Sequence, residues 1–165
     1  MSKRKKLLGL FMAVGMSVSM CVTPVLAETT SILDEIPEEE LTDEETTEDF
    51  SEDTSYSVLR GTNLNLGNVK IQKVSNHEVS IFGSTQCHKK CAKVYLSLFL
   101  ERKVNGSYGT YKIYEYTANN VTSLNKGLKI LVPSGTYYRV RGYHAASQSG
   151  TKESTSTLTS GIMVK

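Results

Sequence analysis

Between Lys93 and Val104 every second residue is aliphatic: Val94, Leu96, Leu98 and Leu100 alternate with Lys93, Tyr95, Ser97, Phe99, Glu101 and Lys103. A strand sends successive side chains to opposite faces, whereas a helix needs apolar residues three and four apart. The run is therefore a strand with one face in a core, and a strand needs partners to be stable. The neighbouring sequence supplies them. Val69–Val74 and Glu78–Phe82 flank the turn Ser75-Asn76-His77, and Lys93–Val104 leads into Asn105-Gly106, the strongest short hairpin signal, within a loop NGSYG that reads as longer than two residues. Thr110–Thr117 returns, with Tyr111 and Ile113 expected inward and Lys112, Tyr114 and Tyr116 outward; Ala118–Ser123 reads as a loop, and Leu128, Ile130 and Val132 mark the next strand. With a strand over Thr136–Ala146 and a last one ending at Val164, the pattern gives an all-β domain of about seven strands. A two-sheet β-sandwich is expected, with a small closed β-barrel as the alternative.

The passage Pro133–Ala146 is central to that domain. Pro133-Ser134-Gly135 is a turn, and the strand after it puts Tyr138, Val140, Gly142 and His144 on one face and Tyr137, Arg139, Arg141 and Tyr143 on the other. If this strand shares a sheet with Lys93–Val104 and Thr110–Thr117, the outward phases collect Lys93, Tyr95, Phe99, Lys103, Lys112, Tyr114, Tyr116, Tyr137, Arg139, Arg141 and Tyr143 into one basic-aromatic face. Half-exposed strands favour tyrosine and cations protect sheet edges, so such a face is also what a plain solvent exterior looks like.

Charge divides the chain. Thirteen carboxylates lie between Glu28 and Asp53 with no Lys or Arg among them, while from Thr54 onward fifteen basic residues face four acidic ones, a balance of +11. An acidic run this poor in large apolar residues is expected to be disordered. At the N-terminus, MSKRKK, an apolar run and Val25-Leu26-Ala27 read as a signal peptide cut between Ala27 and Glu28. The expected organisation is a signal peptide over 1–27, a disordered acidic linker or pro-segment over 28–54, and a basic β domain over 55–165. Export favours a disulfide between Cys87 and Cys91. The rival, a metal site built from Cys87, Cys91, His88 and His77, lacks a common zinc spacing.

Leu131-Val-Pro-Ser-Gly-Thr-Tyr137 resembles the turn-and-strand passage of fibronectin type III and other immunoglobulin-like domains, where a tyrosine corner follows such a proline. The resemblance implies an immunoglobulin-like β-sandwich, with Tyr137 and Tyr138 as the two candidates for the corner. More broadly, Arg60–Lys165 resembles a family of small exported Gram-positive bacterial proteins of unknown function, through RGTNLNLG, the C-x3-C pair, TYYRVRGYHAA and TKESTSTLTSGI. That likeness implies secretion and a fold, and no activity.

No nucleophile, base and orienting group come together in the sequence, and no G-x-S-x-G, H-E-x-x-H or phosphate-binding glycine loop occurs. His144 falls on the inward phase, where a satisfied core histidine is expected. The chain reads as non-catalytic, with no cofactor. The expected function is that of a secreted or surface-associated module binding an anionic cell-wall polymer, a glycan or a lipid surface. A cationic toxin or bacteriocin masked by its acidic segment and a purely structural surface protein are the alternatives. Nucleic acid suits the charge, but an exported protein rarely meets it.

Overall fold

The computed structural model describes residues 44–57 and 61–165, and every regular element among them is a β-strand. The expected signal peptide, its cut between Ala27 and Glu28 and the first part of the acidic segment lie outside the described residues. The strands are β1 (Glu45–Thr46), β2 (Phe50–Tyr56), β3 (Leu64–Ser75), β4 (Glu78–Val104), β5 (Ser107–Leu131), β6 (Thr136–Gln148), β7 (Thr151–Leu158) and β8 (Gly161–Val164). They form one sheet in the order β1-β8-β6-β4-β3-β2, with β5 paired to β4 and β7 to β6. The all-β class is as expected. The arrangement is that of the barrel alternative, because the strands belong to one curled, nearly closed sheet rather than to two.

Two long strands produce the curl. β4 has 27 residues and β5 has 25. The first part of β4 lies between β3 and the end of β5, and its later part lies between β6 and the start of β5. Between these parts Gln86 faces Ser123 and Cys91 faces Val121, so residues 87–90 oppose Thr122 alone. Extra residues on one strand bend it and increase its twist. The stretch around the cysteines, expected as a turn between strands, is thus a bulge within one strand. Ala118–Ser123, expected as a loop, continues β5 past Asn120 in the left-handed region (φ 56°). Asn105 and Gly106 (φ 52° and 88°) make a two-residue loop with Val104 opposite Ser107, shorter than expected. Positive φ at both central positions matches the twist of the flanking strands.

The core follows the alternation that defined β4. Val94, Leu96, Leu98 and Leu100 are fully buried with Val69, Ile71, Val79, Ile81, Tyr138 and Val140. Each such aliphatic side chain contributes about 1.5–3 kcal/mol by leaving water. The Tyr138 hydroxyl donates to the Pro133 carbonyl at 2.7 Å, so Tyr138 rather than Tyr137 makes the corner bond. One phase differs from expectation. Leu96 faces Tyr116 and Leu98 faces Tyr114, so both tyrosines pack against the core, while Tyr111 and Ile113 are exposed at 37% and 48%.

The acidic segment also differs from expectation over residues 44–54. β1 pairs with β8 in parallel and β2 pairs with β3 along its whole length. Ser51, Asp53 and Ser55 then close the gap to β7 and the chain after it. Asp53 accepts from Leu158 N at 2.8 Å, Ser51 Oγ from Ser160 N at 3.0 Å, and Ser55 Oγ meets Thr155 Oγ1 at 2.7 Å. Side chains, not a backbone ladder, hold this seam, which is why polar residues form the strand. Over the sequence from Glu44 to Lys165, fifteen basic and ten acidic residues give a balance of +5.

Candidate functional site

β4 and β6 lie side by side, with Ser97 opposite Tyr143, Phe99 opposite Arg141 and Glu101 opposite Arg139. Their outward phases do meet on one face, and cations and rings interleave along it. Lys103 Nζ lies 5.4 Å and 5.9 Å from the ring centres of Tyr108 and Tyr137. The Arg139 guanidinium lies 4.0 Å from the Tyr108 ring centre, and the Arg141 guanidinium 5.0 Å from that of Phe99. Lys152 Nζ lies 5.4 Å from the ring centre of Tyr143 and 5.9 Å from that of Tyr95.

The middle of this ladder is not an accessible surface. Phe99 and Tyr143 are each 2% exposed, Arg139 4% and Arg141 8%. Both arginines converge on Glu101, itself buried: Arg139 Nε donates to Oε2 at 2.6 Å, and Arg141 Nε lies 3.0 Å from Oε1 in an ion pair without hydrogen-bond alignment. Arg139 and Arg141, expected as the central cations for a ligand, are committed to an internal carboxylate. The expected face also loses Lys112, Tyr114 and Tyr116, which lie on the core phase of β5; Lys112 sits 5.3 Å over Tyr111 instead. At one end Lys103 is paired with Glu45 of β1. At the other, Lys93 and Lys152 both flank Ser147 in register, both exposed, with half-buried Tyr95 next to them.

Sequence reasoning did not single out Glu101, Tyr108 or Lys152 for this face. Glu101 is the only acid on the outward phase of the Lys93–Val104 run, directly across from an arginine, and that pairing was the available signal. Tyr108 gave none, because its place depends on how the hairpin folds over: its hydroxyl lies against Gly161 of β8.

Four separated stretches meet inside and at one end of the barrel. His144, fully buried, has Nδ1 3.0 Å from Thr85 Oγ1 and Nε2 2.8 Å from Thr157 Oγ1. Thr85 gives its own hydrogen to the Tyr95 carbonyl at 3.0 Å, so it accepts from Nδ1–H, and Nε2 accepts from Thr157. Gly67 leaves room for the ring, since a Cβ there would stand 2.2 Å from His144 Cδ2. At the end of the barrel, Glu153 accepts from three successive amides, Thr62 N at 3.1 Å, Asn63 N at 3.0 Å and Leu64 N at 2.7 Å. Burial alone would raise the Glu153 pKa, but these bonds outweigh it and hold the carboxyl below its ordinary range. Leu64 pairs with Cys87. A scan against protein families matches residues 34–162 to "Family of unknown function (DUF6147)". The chain belongs to that family.

The matched span takes in β1 and β2, so the DUF6147 region starts before the basic stretch and includes the acidic strands. A comparison with curated proteins gives no match. Within the DUF6147 domain Cys87 is half-buried and Cys91 fully buried, both as thiols. Burial first, then the adjacent Cys91 and Glu153, push the Cys87 thiol up to about 12. Among the described residues of the DUF6147 domain, no three His, Cys, Asp or Glu side chains gather to hold a metal ion.

Proposed function

We propose that this chain is an exported, non-catalytic module of a Gram-positive bacterial surface that binds an anionic wall polymer or glycan. The observation that carries this reading is the Lys93–Ser147–Lys152 row beside Tyr95, with Lys89 and Lys90 exposed on the β4 bulge. Four exposed cations at one end of the barrel, with an aromatic ring at their border, suit a repeating polyanion better than a single small molecule. Surface charges of this kind act over about one Debye length, ~8 Å at physiological salt, so binding is weak and salt-sensitive. The Lys93→Gln/Lys152→Gln double variant should bind purified teichoic acid several-fold more weakly than the parent, with a flatter salt dependence and an unchanged thermal midpoint. Equal binding by both proteins would remove this end of the barrel as the contact surface. The alternative of a cationic effector masked by a detachable acidic segment is less well supported, because residues 50–56 are a paired strand that closes the seam.

Export also carries the expectation that Cys87 and Cys91 are joined. The five-residue ring Cys87–Cys91 would contribute about 2 kcal/mol by the loop-entropy relation. Burial keeps Cys87 protonated at neutral pH and shields Cys91 from oxidant, so the folded, reduced protein should oxidise slowly in air and pairing belongs to folding. Protein collected from the medium should therefore take up a thiol label only after reduction. Two labelled cysteines in the unreduced protein would refute the disulfide.

A further inference from the structure

The end of the β4–β5 hairpin forms an open groove of about 380 Å³, lined by Arg102 and Val104 from β4 and by Tyr108, Gly109 and Tyr111 from β5. Its geometry begins with a register shift. Leu100 faces Lys112 and Glu101 faces Thr110, so Tyr111 has no residue opposite it in the ladder. A bulge of this kind re-aims the extra side chain. The Tyr111 ring is held edge-on to Tyr138 (centroids 6.2 Å apart, planes at 68°), and Tyr138 is fixed in turn by its bond to Pro133. Gly109, across from Arg102, leaves the floor open, with no atom within 4 Å of where its Cβ would be.

Arg102 differs from the other described arginines. Arg139 and Arg141 share Glu101, whereas Arg102 has no acidic partner among the described residues, and its Nε is buried with no hydrogen bond. A half-buried cation without a counter-ion or a full set of acceptors is costly to keep. An acid group in the groove would offset that cost, and a guanidinium fork grips carboxylate and phosphate alike. Beside it stand a fixed aromatic ring and the hydroxyl-bearing Ser107 and Thr110. That combination suits a ligand with an acid group on a compact, hydroxylated, partly apolar body.

We propose that this groove is a binding subsite for an acidic sugar unit, carboxylate- or phosphate-bearing, with Arg102 holding the acid group and Tyr111 packing against the sugar. It rests on the polymer-binding reading above and gives that reading a second, more selective contact point. Amide NMR titrations of the whole protein with a galacturonate oligomer, a hexose-phosphate oligomer and a neutral malto-oligosaccharide test it. At least one acidic probe should shift the amides of residues 102 and 107–111 saturably, and which one does so identifies the acid group; the neutral probe should not. Arg102→Gln should weaken that binding at least about tenfold, since it removes the charge and the fork together. Arg102→Lys, which keeps the charge without the fork, should fall between. Two outcomes overturn the subsite: hairpin amides that stay still under both acidic probes, or an Arg102→Gln variant that binds like the parent. If either occurs while amides at Lys93, Tyr95 and Lys152 still respond, polymer binding stands and only this subsite is lost. If no residue responds to either acidic oligomer, both readings fall.

Discussion

Glu101→Gln should cost the domain about 3–5 kcal/mol, because it removes one partner of a buried ion pair and leaves the other charge behind. The carboxylate is 4% exposed and serves both Arg139 and Arg141. Glutamine keeps its shape and loses its charge, so the Arg141 guanidinium, 8% exposed over the Phe99 ring, would have no carboxylate. Urea denaturation monitored by tyrosine fluorescence measures this as a fall in midpoint at constant slope. A loss below about 1 kcal/mol, the range of exposed pairs, would mean that water already reaches the cluster. Replacing Glu101, Arg139 and Arg141 together with apolar residues should be far milder than Glu101→Gln alone, since a buried pair exchanged as a unit is often neutral.

Acid should unfold the domain from well above the carboxylate range. Burial holds the His144 pKa down at about 3, against an ordinary value near 6.5. Above pH ~6.5 the ring is neutral in both states and its contribution is complete. Below that value the unfolded chain takes up a proton that the folded chain refuses. Stability therefore falls by about 1.4 kcal/mol per pH unit until the folded pKa is reached. Protonation at Nε2 would also set a donor against the Thr157 hydroxyl, which now donates to it. The measurement is the slope of unfolding free energy between pH 6.5 and 4.5, with His144→Gln flattening it. Should that variant fail to fold, the imidazole ¹⁵N shifts of the native protein give the same answer. An imidazolium signal from His144 at pH 5.5 would contradict the assignment.

What could be read from the sequence follows from which residues carry unambiguous burial. Val94, Leu96, Leu98 and Leu100 belong only in a core, and each is there. His144 was placed inward by phase alone, and it is fully buried. β5 was harder, because tyrosine and lysine have apolar stems with polar ends and are at home on either side of a sheet. The bulge at Tyr111 then shifts the phase by one residue, which exchanges Tyr114 and Tyr116 with Ile113. β2 was illegible for a different reason. FSEDTSY has the composition of a disordered stretch, and it is a strand because Ser51, Asp53 and Ser55 meet backbone amides and hydroxyls from residues a hundred or more positions away. Apolar periodicity contains no trace of such partners. The Glu101 cluster lay between these cases: the cross-strand register was inferable, but its consequence, two arginines turned from ligand contacts into internal pairs, needed the burial as well.

The parallel pairing of β1 with β8 sets a schedule for folding. Glu45 lies opposite Gly161, 116 positions along the chain, and the same region carries the β2 seam to Leu158 and Ser160. Contacts of such separation make folding slow, since the loop must be closed before any of them is gained. The barrel therefore cannot close while residues 158–164 are still being synthesised. Until then β6 offers an unpaired edge along Thr136–Tyr138, the stretch that β8 later covers. A helper that keeps such edges apart would have its work in that interval, and a chain truncated before Gly161 should accumulate as aggregate rather than as a smaller folded unit.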